Sequence, residues 1–360
     1  MARLEEVCEI LDSKRVPITA KDRTVGQYPY YGANGVQDYV ADYIFDDELV
    51  LLAEDGGHFG STDKPIAYRV SGKCWVNNHA HVLKPRACID VDYLCYSLMF
   101  RDVSDIVNGA TRQKLTQADM RKIKIPLLSI EEQKTIVAKI GKVFELISQR
   151  KEQLAKLDQL VKSRYIELFS DKDYPEDTLL NLCNIIDYRG KTPEKVEYGL
   201  PFITAKNVKM HQMNLEPREY ISKETYDKVM VRGFPKEGDV VFTTEAPLGN
   251  VCRIPYFETE FYIGQRIVTL QTEKLEPIYL EYALSSDDFK MKYMGKSSGS
   301  TVTGIRVRLL EQLTIPVPPI ESQEQFATFV EQTDKSKLVI QQSLNKLELL
   351  KKSLMQEYFG

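Results

Sequence analysis

A chain of 360 residues is long for a single hydrophobic core, so two or more domains are expected. Its 43% hydrophobic and 28% charged residues fit a soluble globular protein, and no apolar run approaches the ~20 residues that span a bilayer. The formal net charge of −4 is not the strongly basic balance of many nucleic-acid binders, but an uneven distribution still permits a local basic surface.

The N-terminus, MARLEEVCEILDSKR, lacks the apolar stretch and small-residue cleavage site of a signal peptide. Cys8, Cys74, Cys88, Cys95, Cys183 and Cys252 are scattered without a CxxC pair, which argues for reduced thiols and against a zinc ribbon. A cytoplasmic protein with no membrane partner is the expectation.

Residues 1–125 read as a β-rich domain. The run YIFDDELVLLAED (43–55) predicts a strand and VDYLCYSLMFRD (91–102) a short helix. Seven acids and no base lie between Asp38 and Asp55, whereas five bases face Asp119 alone between Arg112 and Lys124. Tyr30, Tyr31 and Asn34 of PYYGANG are placed to stack and hydrogen-bond, although an Asn-Gly turn and core packing account for them equally well. EDGGHFGSTDK (54–64) lacks the Lys-Ser/Thr of a phosphate loop, so a glycine-rich loop with His58 and Ser61 as contacts is expected instead. His79 and His81 would share a strand face, but no Cys or third His stands at ligand spacing, and a packed or hydrogen-bonded pair is preferred to a metal site. Arg112 and Lys114 close this domain as candidate nucleic-acid contacts or as an exposed basic strand edge.

From 126 to 170 the pattern changes to helix. After IPLLSIEEQ, apolar residues fall at Ile136, Ile140, Val143, Ile147, Leu154, Leu157, Val161 and Leu168, a heptad stripe of about five heptads in which Arg150 and Arg164 take apolar places. Glu131 and Glu132 lie in the first turn, where the helix dipole favours acids.

Residues 171–315 form a second β-rich domain, with strands over GDVVFTTEA (238–246) and FYIGQRIVTLQ (261–271) and a helix over PIYLEYALSSDDF (277–289). DYRGKTPEK presents Arg189, Lys191 and Thr192 on a turn as candidate contacts; Lys206 and Asn207 stand where the first domain has its Asn-Gly turn; Gln265 and Arg266 could read adenine or guanine edges, although a Gln-Arg pair at a strand end is ordinary. Thr301, Arg306 and Arg308 repeat the junction of Arg112 and Lys114. From 316 to 360 a second helix keeps a rougher stripe of Phe326, Val330, Ile340, Leu344, Leu347, Leu354 and Tyr358, interrupted by Thr333, Lys337 and Lys351.

IPVPPIESQ at 315–323 restates IPLLSIEEQ at 125–133, and a shift of 190 positions superposes 109–170 on 299–360 without a gap. The chain is an internal duplication. Two such stripes can bury against each other as an antiparallel pair with a domain at each end, against their own domains, or against a second chain. The fold class expected is α+β: two β-rich domains separated by a pair of long antiparallel coiled-coil helices, with an internal pseudo-two-fold repeat. Neither an S-adenosylmethionine loop with an Asn/Asp-Pro-Pro-aromatic motif nor GxxxxGK[ST] occurs, and no catalytic centre is expected.

VPITAKDRTVGQYPYYGANGVQDYVADYIFDDELVLLAEDG (16–56), DYRGKTPEK (187–195) and NGATRQKLTQADMRKIKIPLLSIEEQKTIV (108–137) resemble the specificity subunit of type I restriction–modification enzymes. The resemblance covers essentially the whole chain. It implies two target-recognition domains, each reading one half of a bipartite, asymmetric site on double-stranded DNA, and helices that fix the gap and dock two modification subunits. It implies no cofactor on this chain: S-adenosylmethionine would belong to the modification subunits, which methylate adenine at N6, and ATP and Mg to the motor–nuclease restriction subunits. A non-catalytic coiled-coil scaffold whose arms bind proteins remains the alternative.

Overall fold

The computed structural model describes residues 1–109, 113–170, 172–188, 190, 192–298 and 303–360. The chain forms two compact units, one of 1–153 with 340–360, the other of 154–339. Each therefore contains a β-rich head and parts of both long helices. The division falls inside the helices, not at the ends of the four sequence segments.

The head of the first unit is a six-stranded sheet in the order Cys8–Ile10, Ala80–Pro85, Phe45–Ala53, Ala67–Val76, Val25–Gly32, Gly35–Val40. The expected strand at 43–55 is its centre. Leu49 to Ala53 are all fully buried, because this strand is covered on both faces and reads as a continuous apolar run. Val50 and Leu52 join the core under the helix Val91–Met99, while Leu49 and Leu51 join a second core with Val70, Cys74 and Val82. Asp90 caps that helix, its carboxylate accepting from the amides of Asp92 and Tyr93 at 2.9 and 3.0 Å.

The second unit repeats the centre of this sheet as Asn184–Asp187, Ile267–Gln271, Val240–Thr243 and Val251–Arg253. The loose match of YPYYGANGV to LPFITAKNV also has a structural basis. Tyr30 pairs with Trp75 in a parallel ladder, and Phe202 pairs with Tyr262 in another, and Trp75 and Tyr262 each stand shortly before the next strand, Ala80–Pro85 or Ile267–Gln271. The second unit has its own helix Pro277–Ser285, followed by Asp287–Lys296.

The long helices run Ile130–Phe169 and Ile320–Phe359, 40 residues each, or about 60 Å. Within the first unit, Ile136, Ile140 and Phe144 share a core cluster with Leu354, Met355, Tyr358 and Phe359, and Lys151 pairs with Glu348 at 3.2 Å. Within the second, Tyr165 and Phe169 meet the Phe326 ring at 5.7 and 5.6 Å, and Lys337 pairs with Asp158 at 2.7 Å. Numbers rise along one helix as they fall along the other, so the pairing is antiparallel.

Of the expected stripe, Ile136, Ile140, Val143, Ile147, Val161, Phe326, Val330 and Leu344 are buried, and Leu154, Leu157, Leu168, Ile340, Leu347, Leu354 and Tyr358 half-buried. Two details differ from the sequence reading. Tyr165 and Phe169, not Arg164 and Leu168, occupy the deepest places at the end of the first helix, drawn there by the rings of Tyr279 and Phe326. Thr333, Lys337 and Lys351 are seam residues rather than breaks: Thr333 donates to the Phe329 carbonyl, Lys337 reaches Asp158, and Lys351 lies over the Phe144 ring.

No helix among the described residues is long and apolar enough to cross a membrane. All six cysteines are free, and burial pushes Cys8, Cys74, Cys95, Cys183 and Cys252 up to about 12, leaving them inert thiols.

Candidate nucleic-acid interface

The duplication extends to a small backbone motif at the rim of each head. In the first, Lys114 bridges both Asp55 and Asn108; in the second, Gly304 bridges both Glu245 and Ser298. The Leu115 amide donates to the Glu54 carbonyl at 2.7 Å, and the Ile305 amide to the Thr244 carbonyl at 2.9 Å. Each motif ties the end of the central strand to the segment that leads into a long helix. The side chains on these two equivalent frames differ.

In the first head the frame rests on buried charge. Asp12, Glu54 and His81 place one ligand atom each within 4.8 Å of one another. Their valences are taken, however. Arg15 and Lys114 hold Glu54 at 2.6 and 2.9 Å, and the His81 ring spans Asp12 at 2.6 Å and the Leu115 carbonyl at 2.9 Å. The Val82 amide and Gln117 donate to the remaining positions on Asp12. This is the arrangement of an ion-pair network rather than a metal centre. Burial works to raise both acids, yet both lie below the usual carboxylate range: the His81, Val82 and Gln117 hydrogen bonds outweigh it for Asp12, and Arg15 and Lys114 outweigh it for Glu54. His79 does not join them; it pairs with Asp55 at 2.8 Å.

The candidates of this head separate accordingly. Tyr30 is a core residue: its ring is buried under the Arg23 guanidinium, and its hydroxyl meets the amide and carbonyl of Ile18. It is not presented to a ligand, because the strand Val25–Gly32 turns it inward. Tyr31 is half-buried against Tyr68. Asn34 is exposed and donates to the Gly56 carbonyl at 3.0 Å, which joins its turn to the glycine loop. On that loop His58 is half-buried, and the Ser61 hydroxyl accepts from the amides of Asp63 and Lys64. Lys114 is half-exposed and shared with Glu54. Arg112 lies outside the described residues.

In the second head Asn207 is likewise internal. Its side chain is buried, accepting from Thr204 and donating to the carbonyls of Asn214 and Pro217, so it organises the 204–217 loop. The neighbouring Lys206 is exposed. Gln265 donates to the Thr192 hydroxyl at 2.7 Å, and Arg266 pairs through Nε with Glu245 at 2.7 Å. Gln265, Arg266 and Arg306 line one open cleft of about 270 Å³ with Glu245 and Ser298. Arg308 is exposed on the short helix Val307–Leu310 beyond. Arg189, Lys191 and Thr301 lie outside the described residues. Asp55 and Glu245 were not singled out from sequence; the only available signal was their shared offset of 190, in segments that otherwise look unrelated.

Comparison with known proteins agrees with this duplicated plan. The family model for the type I restriction modification DNA specificity domain matches residues 1–158 and 172–349. The chain is similar to the Haemophilus influenzae type I restriction enzyme specificity subunit S.HindORF215P, 27% identical over 375 residues, covering 98% of this chain and 94% of that one. It is also similar to the Methanocaldococcus jannaschii type I restriction enzyme MjaVIII specificity subunit, 22% identical over 397 residues, covering 99% and 90%. In fold it resembles the crystal structure of the S subunit of the M. genitalium type I restriction–modification system, with a TM-score of 0.62, 14% identity, and coverage of 100% of this chain and 95% of that one. The duplicated heads, the paired helices and a family match in two segments lead to one assignment: this chain belongs to the specificity subunits of type I restriction–modification enzymes.

Proposed function

We propose that the two heads read the two halves of a bipartite, asymmetric DNA site, and that the long helices fix the gap between the halves and dock two modification subunits. The single observation that carries this reading is the repeated rim: one backbone frame built twice with different side chains is what two readers of different sequences need. Exposed Lys206, Arg306 and Arg308 are suited to phosphates; Asn34, Lys114, Thr192, Gln265 and Arg266 lie on or beside the frames, and His58 and Ser61 on the glycine loop that follows the first. A stiff coiled pair suits a fixed half-site spacing.

On this reading the chain performs no chemistry. The modification subunits bring S-adenosylmethionine and methylate adenine at N6, the restriction subunits bring ATP- and Mg-dependent cleavage, and the whole assembly works in the cytoplasm.

The test is adenine-methylation mapping in a strain carrying this gene and an active modification subunit, against the same strain lacking this gene. A bipartite motif with a fixed gap that disappears on deletion is the expected result. An unchanged methylome overturns the reading and favours a scaffold whose arms bind proteins.

A further inference from the structure

Arg266 and His79 are the same residue of the duplicated plan. The Thr244 amide donates to the Arg266 carbonyl at 2.8 Å, and the Glu54 amide to the His79 carbonyl at 2.9 Å. Each basic side chain then turns to the acid that follows the central strand: Arg266 Nε to Glu245 Oε1 at 2.7 Å, His79 Nδ1 to Asp55 Oδ1 at 2.8 Å. An amide residue, Gln265 or Asn78, precedes each of them. The backbone is held constant while the acid–base pair is rewritten.

The second pair is open. The side chains of Arg266 and Glu245 are 51% and 41% exposed, and both line the rim cleft. Arg266 adopts φ +78°, a conformation that a residue with a side chain rarely takes. Such backbone strain clusters where a side chain must be aimed. Glu245 meets the guanidinium at Nε, and among the described residues the two terminal nitrogens make no hydrogen bond. Those nitrogens form the fork that donates to O6 and N7 of guanine, and a carboxylate accepts from the cytosine N4 amino group. A phosphate is the poorer ligand, because Glu245 cancels the charge that a phosphate needs and repels it directly.

Resting on the reading of the heads as DNA readers, we propose that the Arg266–Glu245 pair determines specificity at one G·C base pair of the second head's half-site, and that Asp55–His79 occupies the corresponding reading position in the first head. An imidazole has no two-nitrogen fork, so the first head does not repeat the arginine's donor pattern. The two halves of the site therefore differ at this position.

The test uses the complex of this chain with its modification subunit, methylating a DNA library randomised over both half-sites. Wild type must first yield a bipartite motif; if it does not, the DNA-reading assignment itself fails. With that motif in hand, Arg266→Ala and Glu245→Gln are expected to relax one half-site at a single base pair by roughly 5- to 150-fold, with the gap and the other half unchanged. His79→Ala is expected to alter only the opposite half. A consensus unchanged in Arg266→Ala overturns the proposal, as does weakening that is uniform across all sequences, the signature of a phosphate contact. Should Arg266→Ala lower the melting temperature of the complex, Arg266→Lys decides: it keeps the charge and loses the fork, and an unchanged consensus in that variant overturns the proposal.

Discussion

Gln133 and Gln323, 190 positions apart, make the same joint. Gln133 accepts from the Asp90 amide at 2.8 Å and donates to the Leu128 carbonyl at 2.9 Å; Gln323 accepts from the Glu276 amide at 3.0 Å and donates to the Pro318 carbonyl at 2.8 Å. Both are buried, and Asp90 and Glu276 are the caps of the equivalent short helices. The repeated phrase ending in Gln thus fastens each head to the first turn of its long helix. Gln133→Leu and Gln323→Leu each strand buried amide and carbonyl groups, and a loss of about 1–3 kcal/mol is expected for each in urea melts. The two losses should add, since the residues share no partner.

Phe326 is fully buried in the second unit's aromatic cluster, with Tyr165, Phe169 and Tyr282 around it at 5.7, 5.6 and 5.2 Å. Phe326→Ala is expected to cost about 3–5 kcal/mol. Lys337→Ala, which removes a pair with the exposed Asp158, is expected to cost no more than about 1 kcal/mol. Equal losses in thermal melts would contradict the seam as described.

Acid should act on the first head through Asp12 and Glu54. Both are held below their ordinary range in the folded protein, so in the window between the folded and unfolded values the unfolded chain binds more protons. Their contribution is complete above the unfolded carboxylate range, about pH 4, and is lost as pH falls through the folded values. Asp12→Asn should lower stability at pH 7 and flatten this acid limb. Urea midpoints measured from pH 7 to pH 3 check both effects.

Salt should separate the roles of exposed bases. Arg306→Ala and Arg308→Ala, if these residues meet phosphates, weaken DNA binding uniformly across sequences and reduce the slope of log K against log salt by about one each. Filter binding of the complex at several salt concentrations reads the slope directly.

The elements of the fold were legible where periodicity carries them. The strand at Phe45–Ala53, the helices at Val91–Met99 and Pro277–Ser285 and the two long helices all lie where apolar spacing put them. What periodicity could not show was which way a polar side chain faces. Tyr30 and Asn207 sit in turn-like, hydrogen-bonding sequence, yet both are buried, because their partners at Ile18 and Asn214 arrive only when the loops close. Lys337 and Lys351 looked like breaks because heptad patterns count hydrophobicity, not cross-helix pairing. The Asp55–His79 and Glu245–Arg266 pairs were invisible because each joins the ends of two strands that only the sheet brings together.

The way each head is closed has a further consequence. Ala2–Arg3 pairs with Lys124–Ile125, and Glu176–Thr178 pairs with Thr314–Pro316, so the chain comes into a head and goes out of it side by side. The next residue repeats the clasp: the Leu4 amide donates to the Ile123 carbonyl and the Leu179 amide to the Leu313 carbonyl, at 2.8 and 3.0 Å. Everything between the clasps is a closed loop standing on a common base. A gene built this way can exchange one loop for another and keep its helices, so a lineage can acquire a new reading without refitting the parts that hold the reader.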